Sequence, residues 1–205
     1  MSTYAELQTI VVAGLGRNDT VTQTYALHGL NYAVLAAAII FSPPELDLIT
    51  TFTVTGSSSY SDISGITGIR SIDVIYNTTD DLRVWLMSKE KFDILTSALA
   101  TGHVEYCTRH GNYLFWAPLP DASTIIQVLY RKYPSLVSNT ATSIPFDNYD
   151  DFLVSEATKF AFACLEEGDS VTIFDGIAKQ LLEVHAMDLK KKSEFEEALK
   201  SGYSI

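Results

Sequence analysis

The chain has 205 residues, 47% of them apolar and 19% charged, and a net charge of −11. That length buries a core without staples, as one domain or one domain with an insertion. The acidic balance speaks against binding nucleic acid by phosphate neutralisation, and the two unpatterned cysteines, Cys107 and Cys164, speak against a disulfide framework and suit a reducing cytoplasm.

No basic segment precedes an apolar run, so no signal peptide is visible. Thr3 to Val12 reads as a short helix. Thr3 and Glu6 have the spacing of a capping box, and Leu7, Ile10 and Val11 form an apolar stripe. Gly14 and Gly16 stop it. A second helix is predicted over Thr22–Phe41, and no charge occurs between Asp19 and Glu45. From Ala33 to Phe41 it is apolar on every face, which calls for burial in a bundle or between subunits. Leu35, Ile39 and Phe41 are the residues assigned to subunit packing. The apolar run is too short to span a bilayer, and Gln23, His28 and Asn31 interrupt its extension. Pro43-Pro44 ends the helix.

From Thr51 to Tyr133 the composition turns to Thr, Ile, Val, Tyr, Ser and Gly, which reads as β-structure. Strands are placed near Thr51–Thr55, Ile69–Tyr76, Arg83–Leu86, Val104–Arg109, Tyr113–Trp116 and Thr124–Tyr133. His110-Gly111-Asn112 supplies the positive-φ residues of a tight hairpin. Ser88–Leu99 is a helical excursion capped by Ser88. Pro118 and Pro120 lack the N–H a sheet needs and mark a strand end and a sharp reversal. Helix returns from Tyr149, with Leu153, Ala157, Phe160, Ala161 and Cys164 on one face. Gly168 breaks it. Asp169 or Thr172 caps a last helix whose stripe is Phe174, Ile177, Leu181 and Val184. Ten acidic residues from Asp147 to Asp188 stand against Lys159 and Lys179, a solvated face or a surface that repels passing DNA. The fold class is therefore α+β: residues 1–47 and 135–205 form a helical bundle, and residues 48–134 a β-rich insertion, a small sheet or sandwich.

Little in this layout carries chemistry. His103, Cys107 and His110 are the best metal candidates, but three ligands fall short of a structural zinc site. On a strand His103 and Cys107 share a face and His110 does not. There is no G-x-S-x-G elbow and no phosphate-binding glycine loop. Asp80-Asp81, Asp150-Asp151 and Glu166-Glu167 are adjacent pairs whose side chains diverge. The aromatics Tyr106, Tyr113, Phe115, Trp116, Tyr130 and Tyr133 could stack bases. With only Arg109, Arg131 and Lys132 nearby, core and interface packing accounts for them better. No enzyme, cofactor or metal is expected.

One stretch carries a resemblance. Tyr113-Leu114-Phe115-Trp116 is followed by the corner Ala117-Pro118-Leu119-Pro120-Asp121. A strand then ends in Tyr130-Arg131-Lys132-Tyr133-Pro134-Ser135-Leu136, and helices follow. With Thr3-Tyr4-Ala5-Glu6-Leu7 at the start, this order resembles the head–tail adaptor (connector, neck) proteins of tailed bacteriophages. The resemblance spans most of the chain and implies a structural virion protein of the neck, assembled in the host cytoplasm. It implies a homo-oligomeric ring, commonly of about twelve copies, between the portal protein and a downstream tail or nozzle protein. Viral DNA would pass through the lumen without specific binding, and no membrane is involved. The family's carboxy-terminal segment helps dock on the portal. Here that segment carries Phe195, Leu199, Tyr203 and Ile205, apolar groups suited to a groove on a partner; extended packing along the bundle is the plainer use of Phe195 and Leu199. The alternatives are a tail completion or tail-tip protein, or a cellular β-rich binding module with helical flanks.

Overall fold

The computed structural model describes residues 2–96, 101–137 and 142–202, with side chains in the last helix described through 188 and at 190. In chain order the elements are α1 (Tyr4–Leu15), α2 (Thr20–Ile40), β1 (Asp47–Val54), β2 (Tyr60–Asp62), β3 (Ile69–Asn77), β4 (Leu82–Leu86) and α3 (Lys89–Thr96). Then come β5 (Thr101–Gly102), β6 (Tyr106–His110), β7 (Tyr113–Ala117), β8 (Leu119–Pro120), β9 (Thr124–Lys132), α4 (Asp150–Cys164) and α5 (Gly168–Gly202). The class is α+β. The chain divides into two compact units, residues up to Leu46 together with those from Pro134 onward, and residues Asp47–Tyr133.

In the helical unit, α1 opens with a complete capping box: Thr3 Oγ1 accepts the Glu6 N–H (3.2 Å) and a Glu6 carboxylate oxygen accepts the Thr3 N–H (2.7 Å). Gly16, at φ +65°, closes the helix, whereas Gly14 lies inside it. Leu7 and Val11 are buried, but Ile10 faces solvent. α2 begins at Thr20 because Asp19 caps it, accepting the Thr22 N–H at 2.9 Å.

α4 is the central helix and packs against α1, α2 and α5. This explains why its buried set runs beyond one stripe, taking in Phe152, Leu153, Ala157, Ala161 and Phe162, with Ser155, Glu156 and Thr158. The predicted single face is too narrow, and Cys164 is exposed. Gly29 lets α2 approach closely: a Cβ there would stand 2.6 Å from the Ala157 carbonyl oxygen. Phe41 at the end of α2 lies on Tyr149 and Phe152 at the start of α4 (ring centroids 4.7 and 5.0 Å). α2 therefore runs antiparallel to α4. So does α5, with Phe162 against Phe174 at one end and Asp151 against His185 at the other. The reversal between α4 and α5 is made by Glu166 at φ +60°, and α5 starts at Gly168. Asp169 and Thr172 thus lie in its first turns instead of capping it.

The β unit is a seven-stranded mixed sheet in the order β1-β9-β3-β4-β6-β7-β2, with β4 and β6 parallel and the other pairs antiparallel. β9 alternates as a strand with one core face must, burying Thr124, Ile126, Val128 and Tyr130. The core adds Val54, Ile63, Ile75, Val84, Val104, Cys107, Leu114 and Trp116. Register shifts in β3 between Ile69 and Ser71 and between Ile72 and Val74 bring Asp73 to 3.7 Å from Arg131, which Asp47 also holds in a two-pronged bond (2.6 and 3.0 Å). The β6–β7 hairpin turns through Gly111-Asn112, and of those only Gly111 has positive φ. Three short strands escape the sequence reading: β2, β5 and β8. Pro118 follows a cis peptide bond, and Leu119-Pro120 pairs with Thr101-Gly102.

Candidate functional site

The structure does not bring the sequence-predicted metal candidates together. Cys107 is fully buried, and burial pushes its thiol up to about 12, so it carries no thiolate at neutral pH. His103 lies in a bend ahead of β6, not on a strand, and its Nδ1 is 3.0 Å from the Asp80 carboxylate. His110 is exposed at the hairpin end. The shared face expected of His103 and Cys107 therefore does not exist. Among the described residues no three His, Cys, Asp or Glu side chains gather as metal ligands do. The aromatic residues divide: Trp116 and Tyr130 belong to the core, and Tyr113 and Phe115 form a surface cluster with Tyr60 (5.4 and 5.9 Å). No helix of the described residues is long and apolar enough to cross a membrane.

What the helical unit offers instead is apolar surface. In α5 the stripe expected from the sequence straddles two faces. Phe174, Leu181 and Leu182 pack with Ala178 toward the core, while Ile173, Ile177, Val184 and Met187 are 40–63% exposed. The exposed set, joined by exposed Gln180, is spaced alternately by four and three residues, the a/d seam of a coiled coil. α2 shows the same arrangement. Its inner face buries Ala26, Leu30, Ala33, Val34, Ala37 and Ala38. Its outer side carries Val21, His28, Tyr32, Leu35 and Ile39, and the same alternating spacing includes Tyr25, which is partly buried against the unit's own core. Val21, Tyr32 and Ile39 are about half exposed, and Tyr32 lies against Phe160 of α4.

The sequence-predicted packing residues separate accordingly. Leu35 is half-buried and Ile39 exposed on the outer face, whereas Phe41 is 5% exposed and packed inside its own chain on Tyr149, Phe152 and His185. Phe195 and Leu199 fall within the helical span of α5, but their side chains lie outside the description. Tyr203 and Ile205 lie outside the described residues. Sequence reasoning missed the outer seam of α5. The signal was there: two interleaved apolar periodicities in one helix, read as one.

Electrostatics reinforce the contrast between the two helices. α2 has no Asp, Glu, Lys or Arg along its length. Around α4 and α5, Lys159 contacts Glu156 (2.6 Å) and Asp175 (3.4 Å). Burial pulls the Lys159 ammonium down, but these carboxylates outweigh it and hold it above its ordinary value. A groove of about 710 Å³ opens between α1, α4 and α5, floored by Leu7, Ile10, Val154, Ile177 and Leu181 and rimmed by Glu6, Asp150 and Asp151.

A family model described as SU10 adaptor protein matches residues 2–198 of the chain. A comparison with curated protein sequences gives no match.

Proposed function

Because the chain belongs to the SU10 adaptor protein family, a structural phage protein family of the head–tail adaptor kind, we propose that it is the virion neck component that joins portal to tail. It forms a ring there, on the order of twelve copies, and DNA passes through the lumen. The family match over residues 2–198 is the observation that carries this reading. The helical unit supports it, since α2 and α5 each present apolar residues outward as well as inward. Leu35 and Ile39 serve subunit packing from the outer face of α2, while Phe41 anchors that helix to α4. The role is mechanical, and the protein supplies interfaces, not catalysis.

The carboxy-terminal segment docks the partner. α5 runs on for about 26 Å beyond His185, to Gly202, a reach that suits insertion into a neighbouring protein. Phe195, Leu199, Tyr203 and Ile205 are the contact residues on this reading. Deleting residues 194–205 from the gene in the phage tests it. Heads without tails, from a protein whose melting temperature is unchanged, are the expected result. Infectious particles at normal yield would overturn the docking role, and a lowered melting temperature would return these residues to bundle packing.

A further inference from the structure

We infer that the outer seam of α2 in one copy packs in parallel against the outer seam of α5 in the next. This rests on the ring reading above and names the surfaces that build it. Three observations select a second copy as the occupant. First, the seams match in phase. Setting Val21 beside Ile173 puts Tyr25 on Ile177, His28 on Gln180, Tyr32 on Val184 and Leu35 on Met187, since both follow the same alternation of four and three. Second, over these five layers each seam has one polar residue among its apolar ones, and this register places His28 opposite Gln180. A single polar layer in an apolar seam costs stability in any other alignment and so fixes register.

The third observation is direction. α2 and α5 both run antiparallel to α4, so within one copy they are parallel to each other. In a ring of about twelve copies, neighbours differ by a rotation of roughly 30°, which tilts a helix by no more than that. The neighbour's α5 therefore still points along α2. Shallow parallel crossing is the geometry in which a/d seams interlock. The contact is heterologous, α2 to α5, not a surface meeting itself. Each copy keeps one seam available for the next, and the series closes into a ring instead of stopping at a dimer. With no Asp, Glu, Lys or Arg on α2, the acidic flanks of α5 meet no like charge across that contact.

Paired cysteines in the phage gene test this, with Cys164→Ser as background and Cys107 left buried. His28→Cys with Gln180→Cys, treated with a short bismaleimide in intact particles, is expected to give a ladder of multimers. Either substitution alone is expected to give none. Val21→Cys with Ile173→Cys is expected to link equally well, and Val21→Cys with Met187→Cys is not, because that pair meets only in antiparallel packing. Dimers from Gln180→Cys alone, or a ladder from Val21 and Met187 but not Val21 and Ile173, would overturn the inference. Particles that contain many copies of the protein yet give no ladder would overturn it while leaving the ring reading standing. Absence of the protein from particles would remove both. All of these positions are exposed, so folding is retained, and an unchanged melting temperature of the purified variants checks it.

Discussion

In the helical unit α2 and α5 each carry apolar residues on two faces, one packed inward and one exposed. In the β unit β9 alternates one buried face with a second that its neighbours partly cover, and β1 dresses its outside with Thr51 and Thr53. The difference follows from geometry. A strand has only two faces, so one core uses up its apolar half. A helix has room for a second stripe beside the one its own core needs. Much of that second stripe is left unpacked by the single chain, although Tyr25 touches its core and Tyr32 stacks on Phe160. It is therefore a place to look for assembly. Apolar side chains are exposed in the β unit too, Ile49 at 63% and Ile125 at 46% among them, but there they lie on separate strands instead of along one helix. That unit's exposed Trp85 is already engaged locally, with the Arg83 guanidinium 4.7 Å above its ring.

The largest expected effect comes from breaking the β side of this contrast. Trp116 is 2% exposed, and its indole N–H donates to Ser61 Oγ at 3.0 Å. Trp116→Ala removes the largest fully buried side chain and is expected to cost about 3–5 kcal/mol. The remaining tryptophan, Trp85, also lies in this unit, so the fluorescence transition in denaturant reads the loss there. An unchanged midpoint would mean that the sheet core does not depend on its central aromatic residue.

A smaller effect probes the helical side. Gly29→Ala gains about 1 kcal/mol of helix propensity but drives a Cβ to 2.6 Å from the Ala157 carbonyl oxygen, a backbone atom that no rotamer change can move. Overpacking of this kind costs about 1–3 kcal/mol, so a net loss is expected, read by circular dichroism at the helix band. Gly176→Ala on α5 meets nothing within 4 Å and is expected to stabilise by up to about 1 kcal/mol. The two glycines together separate propensity from packing. If both substitutions stabilised, the close approach of α2 to α4 would be wrong.

Acid sharpens the comparison further. Hydrogen bonds from Thr3 hold the Glu6 carboxyl below its ordinary value, those from Thr22 do the same for Asp19, and Lys179 and Lys159 do so for Asp175. All three lie in the helical unit, while in the β unit Asp62 is held low by Ser64. A carboxyl held low when folded contributes stability above the ordinary carboxylate pKa, about 4. That contribution disappears as pH falls through the folded value. The helix-band transition is therefore expected to lose more between about pH 5 and 3 than the tryptophan-fluorescence transition. Asp19→Asn, which keeps a capping oxygen, is expected to flatten the pH slope of the helix signal. Equal slopes for the two signals would contradict this.

Much of this fold was legible where one local rule acts alone. The Thr3–Glu6 capping box, the stop at Gly16 and the strand at Thr124–Lys132 each depend on a few neighbouring residues, and each appears as the sequence implies. Reading failed where a distant partner decides. β2, β5 and β8 are two or three residues long and exist through pairing with β7 or with each other. α4 buries more than one face because three helices surround it. The α4–α5 break is set by Glu166 in a conformation usually left to glycine, so Gly168 was the natural but wrong place for it. The candidate site shows the same pattern. Leu35 and Ile39 could be picked out on a charge-free helix. In α5 the two interleaved apolar stripes were legible, but which of them faces α4 was not, because that depends on α4.

The smallest expected effect, like that of Gly176→Ala, is a gain, and it concerns a residue in the amino-terminal stretch that fits the family resemblance. Tyr4 is fully buried at the start of α1, yet its hydroxyl has no hydrogen-bond partner, and burial pushes its pKa up to about 12. Its ring packs in the same core as Leu7, Val11 and Phe152. A buried donor without a partner costs about 1–3 kcal/mol relative to an apolar group of the same shape. Tyr4→Phe keeps the ring and removes the stranded oxygen, so stability is expected to be unchanged or to rise by about 1 kcal/mol, as read from the helix-band midpoint. Tyr4→Ala removes the ring itself and is expected to cost about 3–5 kcal/mol. The ring and the hydroxyl thus have separable roles. If Tyr4→Phe lowered the midpoint instead, the hydroxyl would have a partner inside the folded core. An unchanged or raised midpoint leaves the ring as the whole contribution of Tyr4.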